Sequence, residues 1–214
     1  MDVAIIGGHG QVARLLARRL VARGDTVRAV VRRPGQTEDV EQDGSRAVLH
    51  DLEVDDDTKL AAAMDGADAV VFAAGSGPGS GAERKWTVDH AGAVHTLAAA
   101  RAADVPRFVI VSSMGTDDPP SDDEVFSVYL RAKAAADADV MASDRAWTVV
   151  RPGGLTDESA TGRVAAARHV DRGQIPRDDV AAVLAACLHD DASVGRVFEV
   201  VSGDTPVQDA ITSL

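Results

Sequence analysis

The stretch VAIIGGHGQVARLLARRL, residues 3–20, decides the fold. Apolar residues from Val3 to Ile6 lead into glycines at 7, 8 and 10. Val12, Leu15, Leu16 and Leu20 then recur at helical spacing, with arginines on the other face. The order is strand, tight turn, helix. Glycines in such a turn let the backbone bend sharply and approach a pyrophosphate, and the helix start adds unpaired N–H groups and a positive dipole end. Two registers fit, Gly7-x-x-Gly10-x-x-Ala13 and Gly8-x-Gly10-x-x-Ala13, and Ala13 is small enough for helix–strand packing. The hinge lies at the first strand–helix junction, where this chemistry requires it. A dinucleotide is therefore expected against Gly7, Gly8, His9, Gly10, Gln11 and Val12.

Working outward, strands are predicted over 3–7, 26–31, 47–50, 69–73, 107–112, 147–151 and 196–201. Helices are predicted over 11–23, 57–64, 82–103, 126–143 and 177–189, the second capped by Asp57 or Thr58. Residues 163–170 alternate weakly. Strands alternating with helices predict parallel crossovers, hence an α/β fold with a doubly wound parallel sheet of the Rossmann type. Strands that are apolar throughout predict burial on both faces. One domain over 1–214 is expected, with a small substrate-side C-terminal lobe from about residue 152. Segments 76–81 and 116–124 read as loops at strand carboxyl ends, where ligands bind in such sheets.

Composition narrows the function. Hydrophobic residues make up 45% but aromatics only 3%, so the core must be built from Val, Ala and Leu. A net charge of −12 argues against nucleic-acid binding, which needs clustered positive charge. No apolar run is long enough for a membrane span, and a first strand at Val3 leaves no room for a signal peptide. The single cysteine, Cys187, sits among Ala and Leu and reads as a core residue. These features predict a cytoplasmic protein, monomeric or a small homo-oligomer. The histidines lack metal-ligand spacing: His90 and His95 are misaligned on a helix, and no metal is expected.

The second strand ends Val30-Val31-Arg32-Arg33-Pro34. A carboxylate there would accept the ribose 2′-hydroxyl of NAD and repel a 2′-phosphate, whereas a guanidinium pairs with that phosphate. Arg32 and Arg33 therefore favour NADP(H) over NAD(H). Asp51, next to Leu52, is placed to accept from the adenine amino group. Ala73, Ala74 and Gly75 are small enough to let backbone pass close to the nicotinamide ribose. Tyr129 and Lys133, four apart on a helix, share a face. A nearby ammonium stabilises phenolate and makes such a Tyr a usable acid or base. Lys133 is also placed to bind the nicotinamide ribose, and Ser112 or Ser113 to orient a carbonyl. Pro152, Gly153 and Gly154 would border the pocket. Lys85 and Trp86 would line its mouth, and Arg151 would meet a carboxylate or support the site, or else form a structural ion pair. The acidic pairs Asp117-Asp118 and Asp122-Asp123 read as a solvated loop.

Several stretches in this order carry a family resemblance: Ile6-Gly7-Gly8-His9-Gly10, Phe72-Ala73-Ala74-Gly75-Ser76-Gly77, Val111-Ser112-Ser113, Tyr129-Leu130-Arg131-Ala132-Lys133, Val150-Arg151-Pro152-Gly153-Gly154 and Ile175-Pro176-Arg177-Asp178-Asp179. The chain resembles the short-chain dehydrogenase/reductase superfamily over nearly its whole length. More narrowly it resembles the atypical NAD(P)-binding branch with NmrA-like, biliverdin reductase B-like and epimerase/dehydratase-like members. The resemblance implies hydride transfer with Tyr129, Lys133 and Ser112 or Ser113 as the catalytic set, on an unidentified small molecule. It also implies two rivals: a non-catalytic NADP(H)-sensing regulator of the NmrA-like type, and a flavin or tetrapyrrole reductase.

Overall fold

The computed structural model describes residues 1–77 and 79–214. The hinge stretch forms β1 (Asp2–Ile6) and α1 (Gln11–Arg23). Gly24, at φ 92°, ends α1, and its N–H reaches back to the Leu20 and Val21 carbonyls. Then follow β2 (Thr26–Val31), α2 (Thr37–Gln42), β3 (Arg46–Leu49), α3 (Asp57–Met64) and β4 (Ala69–Phe72). The cap of α3 is Asp56, one residue before the expected pair: its carboxylate accepts the Thr58 amide at 2.7 Å.

The expected long helix comes in three parts, α4 (Ala82–Arg84), a π-helical stretch Lys85–Ala91, and α5 (Gly92–Ala102). The chain continues through β5 (Arg107–Val111), α6 (Val125–Met141), β6 (Ala146–Pro152), β7 (Gly154–Thr156), β8 (Arg163–Ala167), β9 (Gln174–Pro176), α7 (Arg177–His189), β10 (Arg196–Ser202), β11 (Thr205–Pro206) and α8 (Val207–Thr212).

Among the described residues nine strands form one sheet in the order β11-β8-β10-β6-β5-β4-β1-β2-β3. The pairs from β10 through β3 are parallel, and β8 runs antiparallel to β10 and β11. The weakly alternating stretch is thus an antiparallel strand near the sheet edge. β7 and β9 pair separately. The fold is a doubly wound α/β sheet of the Rossmann type. Strand order reverses between β1 and β4, which opens a crevice at their carboxyl ends.

The alternation within β1 shows how the layers are held. Val3 and Ile5 pack under α1 and α7 with Leu16, Leu20, Val180 and Leu184. Ala4 and Ile6 pack on the opposite face with Leu60, Met64, Ala99 and Ala136. Each buried Leu of α1 contributes about 1.5–3 kcal/mol. The scarce aromatics are used where they count, since Phe72, Phe108 and Phe198 are among the largest fully buried side chains. Cys187 is buried in the same core, and burial pushes its thiol up to about 12. No described helix is long and apolar enough to cross a membrane.

Candidate functional site

Gly7 leaves β1 at φ +78°, and a Cβ there would lie 2.6 Å from the Ala74 Cα. Both the turn and the close approach to the end of β4 require glycine. Gly10 then caps α1 with extended backbone and no side-chain acceptor. The first bond of the helical ladder runs from the Arg14 amide to the Gly10 carbonyl, at 2.9 Å. The amides of Gln11, Val12 and Ala13 stand ahead of that ladder. No acidic residue in the first turn offsets the positive helix end.

Gly10, Gln11 and Val12 line a cavity of about 1050 Å³. Other elements bring the remaining predicted residues to the same space. Ala73, Ala74 and Gly75 come from the end of β4, and Ser112 and Ser113 from the end of β5. Tyr129 and Lys133 come from α6, and Pro152, Gly153 and Gly154 from the end of β6. Gly153 also answers a local need, because a Cβ there would collide with the Gly173 carbonyl.

Tyr129 is half-buried, stacked on Phe126 with ring centroids 5.8 Å apart. Lys133 is buried; its Nζ donates to the Val111 carbonyl at 2.9 Å and lies 3.7 Å from Asp89. Asp89 in turn accepts from the Ser76 amide (3.1 Å) and hydroxyl (2.6 Å). The π-helical stretch presents both Lys85 and Asp89 to the cavity. Such stretches recur at functional sites. Lys85, expected at the mouth, is instead buried in the wall, while Trp86 is exposed and outside the lining.

A smaller cavity of about 290 Å³ shares Gly10, Ala73, Ala74 and Gly75 with the first. Gly7, His9, Arg32, Asp51 and Leu52 line it. The His9 Nε2 lies 2.8 Å from an Asp39 oxygen on α2. The Asp51 carboxylate accepts the Glu53 amide at 3.0 Å. Arg32 lies 3.6 Å from Glu53, whose carboxylate also accepts from Arg84 (2.6 Å) and Thr87 (2.7 Å). The Arg84 hydrogen bond, foremost among these, holds the Glu53 carboxyl below the usual range. Arg33 is exposed and lies outside both linings.

Behind the end of β5 lies a buried ionic group. Arg151, 3% exposed, donates through Nε to Asp137 at 3.0 Å and through Nη1 to Asp117. Asp117 is thus tied to the sheet rather than free in a solvated loop. Burial pushes the Asp137 carboxyl up, offset in part by the Ser112 hydroxyl and Arg151. Burial opposes ionisation of Asp117 too, but the Arg151 contact keeps its carboxyl low. Ser112 Oγ and Asp137 Oδ1 are both buried, and among the described residues each lacks a hydrogen-bond partner of good geometry. Ser113 donates to the Met114 carbonyl at 3.1 Å.

Residues 7–191 match the family described as NAD(P)H-binding. The chain belongs to that family. The Bacillus subtilis protein YhfK, whose name is "uncharacterized sugar epimerase", is 38% identical over 215 residues, covering 100% of both chains. A Bacillus halodurans protein described as an NAD-dependent epimerase/dehydratase has a structure that superposes with a TM-score of 0.93. It is 37% identical, again over 100% of both chains. The oxidoreductase YlbE of Lactococcus lactis gives 0.88 at 28% identity, covering 100% of this chain and 96% of its own.

The residues present suit the family's cofactor. The two joined cavities run from the end of β2 to the end of β6, with the free amides of α1 between them. Sequence reasoning missed Glu53, Arg84, Asp89 and Asp137. Each acts through a partner distant in the chain, such as Glu53 and Arg84, 31 residues apart, and no local pattern marks such pairs.

Proposed function

We propose that the protein is an NADP(H)-dependent oxidoreductase acting on a small carbonyl or alcohol substrate. One observation carries this reading: the bare amides of α1, Tyr129, Lys133 and Ser112 all line one cavity. The smaller cavity takes the adenosine end, with Asp51 and Leu52 at the base. Gly7, Gly8, His9 and Gly10 shape the turn beneath the pyrophosphate, and the Gln11 and Val12 amides bind it. Ala73, Ala74, Gly75 and Pro152 to Gly154 flank the nicotinamide end.

Bound NADP(H) supplies or accepts the hydride at the substrate carbon. Tyr129 gives its hydroxyl proton to the carbonyl oxygen in reduction and takes one back in oxidation. Lys133, fixed by Val111 and Asp89, holds the ribose. Ser112 orients the substrate oxygen, and Asp137 behind it restricts how its hydroxyl turns. The names of the B. subtilis and B. halodurans relatives fit the same chemistry, since epimerases also act at an alcohol carbon.

Arg32 is the residue assigned to the 2′-phosphate, with Arg33 adding charge from outside the cavity. Glu53 keeps Arg84 and Thr87 as partners, which leaves Arg32 free to turn to a phosphate. Arg32→Glu is expected to weaken NADPH binding by about tenfold or more while NADH binding stays within about threefold. Fluorescence titration of both coenzymes measures this. The observation favouring NAD(H) is Glu53 itself, a carboxylate in the wall of the same cavity. Tighter binding of NADH than of NADPH by the unaltered chain would establish that reading and overturn the Arg32 assignment. Cofactor binding with no turnover of any aldehyde, ketone, quinone or flavin would favour a sensor instead.

A further inference from the structure

Four side chains with fixed positive charge line the larger cavity among the described residues: Lys85, Lys133, Arg172 and Arg177. Two have carboxylate partners within 4 Å, Lys133 with Asp89 and Arg177 with Asp157. Arg172 is exposed to water, which screens its charge. Lys85 differs from all three. It is 7% exposed, and among the described residues it has no carboxylate within ion-pair distance. Its Nζ donates to two neutral acceptors, the Gly77 carbonyl at 3.0 Å and the Ser80 hydroxyl at 2.9 Å. An ammonium has three N–H donors, so one is left.

Burying an ammonium is costly unless a counter-charge is supplied. Here two neutral acceptors hold the head group in place without neutralising it. The protein as a whole carries −12, so a buried cation with no carboxylate partner among the described residues is a local exception to its charge, eased only by two neutral acceptors and the face of the Tyr129 ring. Lys85 Nζ also lies 5.6 Å from the centroid of the Tyr129 ring, which places the charge beside the proposed reacting centre. The apolar part of the wall is exposed on the same side: Phe126 and Val125, each about one turn from Tyr129 on α6, are 64% and 46% exposed and line the cavity.

We infer that the substrate is an anion with an apolar body, and that Lys85 binds its carboxylate or phosphate oxygen through the remaining N–H. The apolar body lies on Phe126 and Val125, with the reacting carbon toward Tyr129. This deepens the oxidoreductase reading and rests on it, because the cofactor occupies the part of the cavity beside α1 and leaves the Lys85 side to the substrate.

The test compares two probes of one shape on the full chain saturated with NADP⁺: 2-naphthoate, which carries a carboxylate, and 2-naphthamide, which does not. Calorimetry is expected to show naphthoate binding about tenfold or more tighter than the amide. Lys85→Met removes that preference while amide binding stays within about twofold, and Lys85→Arg keeps the preference. Equal binding of the two probes by the unaltered chain overturns the inference, as does binding of neither. A preference that survives in Lys85→Met, or an equal loss of both probes, also overturns it, the latter assigning Lys85 a structural role through Gly77 and Ser80. NADP⁺ affinity is recorded in the same titrations. Failure of the chain to bind NADP⁺ would sink the oxidoreductase reading, whereas equal probe affinities on the loaded chain sink only this inference.

Discussion

Tyr129→Phe is expected to lower kcat for NADPH-linked carbonyl reduction by about 10²–10⁴-fold, the usual share of a positioned proton donor. The ring stays, so stacking on Phe126 and packing in the cavity wall are kept. NADPH affinity should therefore change little, because the phenol oxygen alone is lost. KM should move far less than kcat, since the proton is delivered only as the carbonyl oxygen gains charge. Stopped-flow measurement of NADPH oxidation over a range of aldehyde concentrations separates the two quantities. Full activity in the variant would remove Tyr129 from the chemistry. It would then favour a reduction needing no protein acid, as in the flavin or tetrapyrrole alternative.

Arg151→Met should have the largest effect on stability, a loss of about 3–5 kcal/mol at pH 7. The guanidinium is buried between Asp137 and Asp117, and its removal leaves the fully buried Asp137 carboxylate without its hydrogen-bonded counter-charge, the neutral Thr116 hydroxyl at 3.3 Å remaining. The pH dependence follows from the raised Asp137 carboxyl. A carboxyl whose folded pKa lies above its unfolded value favours the fold while protonated and loses that contribution as pH rises through the folded value. Without Arg151 that raising increases. The deficit of the variant relative to the unaltered chain should therefore shrink as pH falls from 7 toward 5. Urea unfolding at both pH values measures it. The double variant Arg151→Met with Asp137→Leu should regain much of the loss, since it buries no unpaired charge. A deficit that is constant with pH would assign the loss to packing alone.

The doubly wound fold was legible because its main elements carry strong local signals. Helix α1 starts after Gly10 and stops at Gly24, and its apolar stripe fills the turns between them, so its bounds could be read directly. β2 and α3 likewise fall where the pattern put them. The short pieces did not. β7, β9 and β11 have two or three residues, and α2 and α8 have six, too few to show a period. The antiparallel course of β8 depends on its partner, β10, and no residue within β8 encodes it.

The site divides the same way. The hinge, the Tyr–Lys pair and the Ser-Ser strand end could be placed on their elements because each is a local motif whose parts lie within seven residues. The contacts of Lys85, Asp89, Glu53 and Asp137 could not, because they depend on how separate elements meet. The π-helical stretch is the clearest case: a regular helix pattern over 82–103 gave no sign that Lys85 would turn into the wall and Trp86 out of it.

Every functional assignment depends on the amide-rich start of α1 receiving the diphosphate of a nicotinamide coenzyme. The most direct measurement follows backbone amide resonances of the ¹⁵N-labelled chain during titration with NADPH. Saturable binding is predicted, with the largest shifts at Gly10, Gln11 and Val12. Unchanged resonances at these three positions under excess NADPH and NADH would contradict the account.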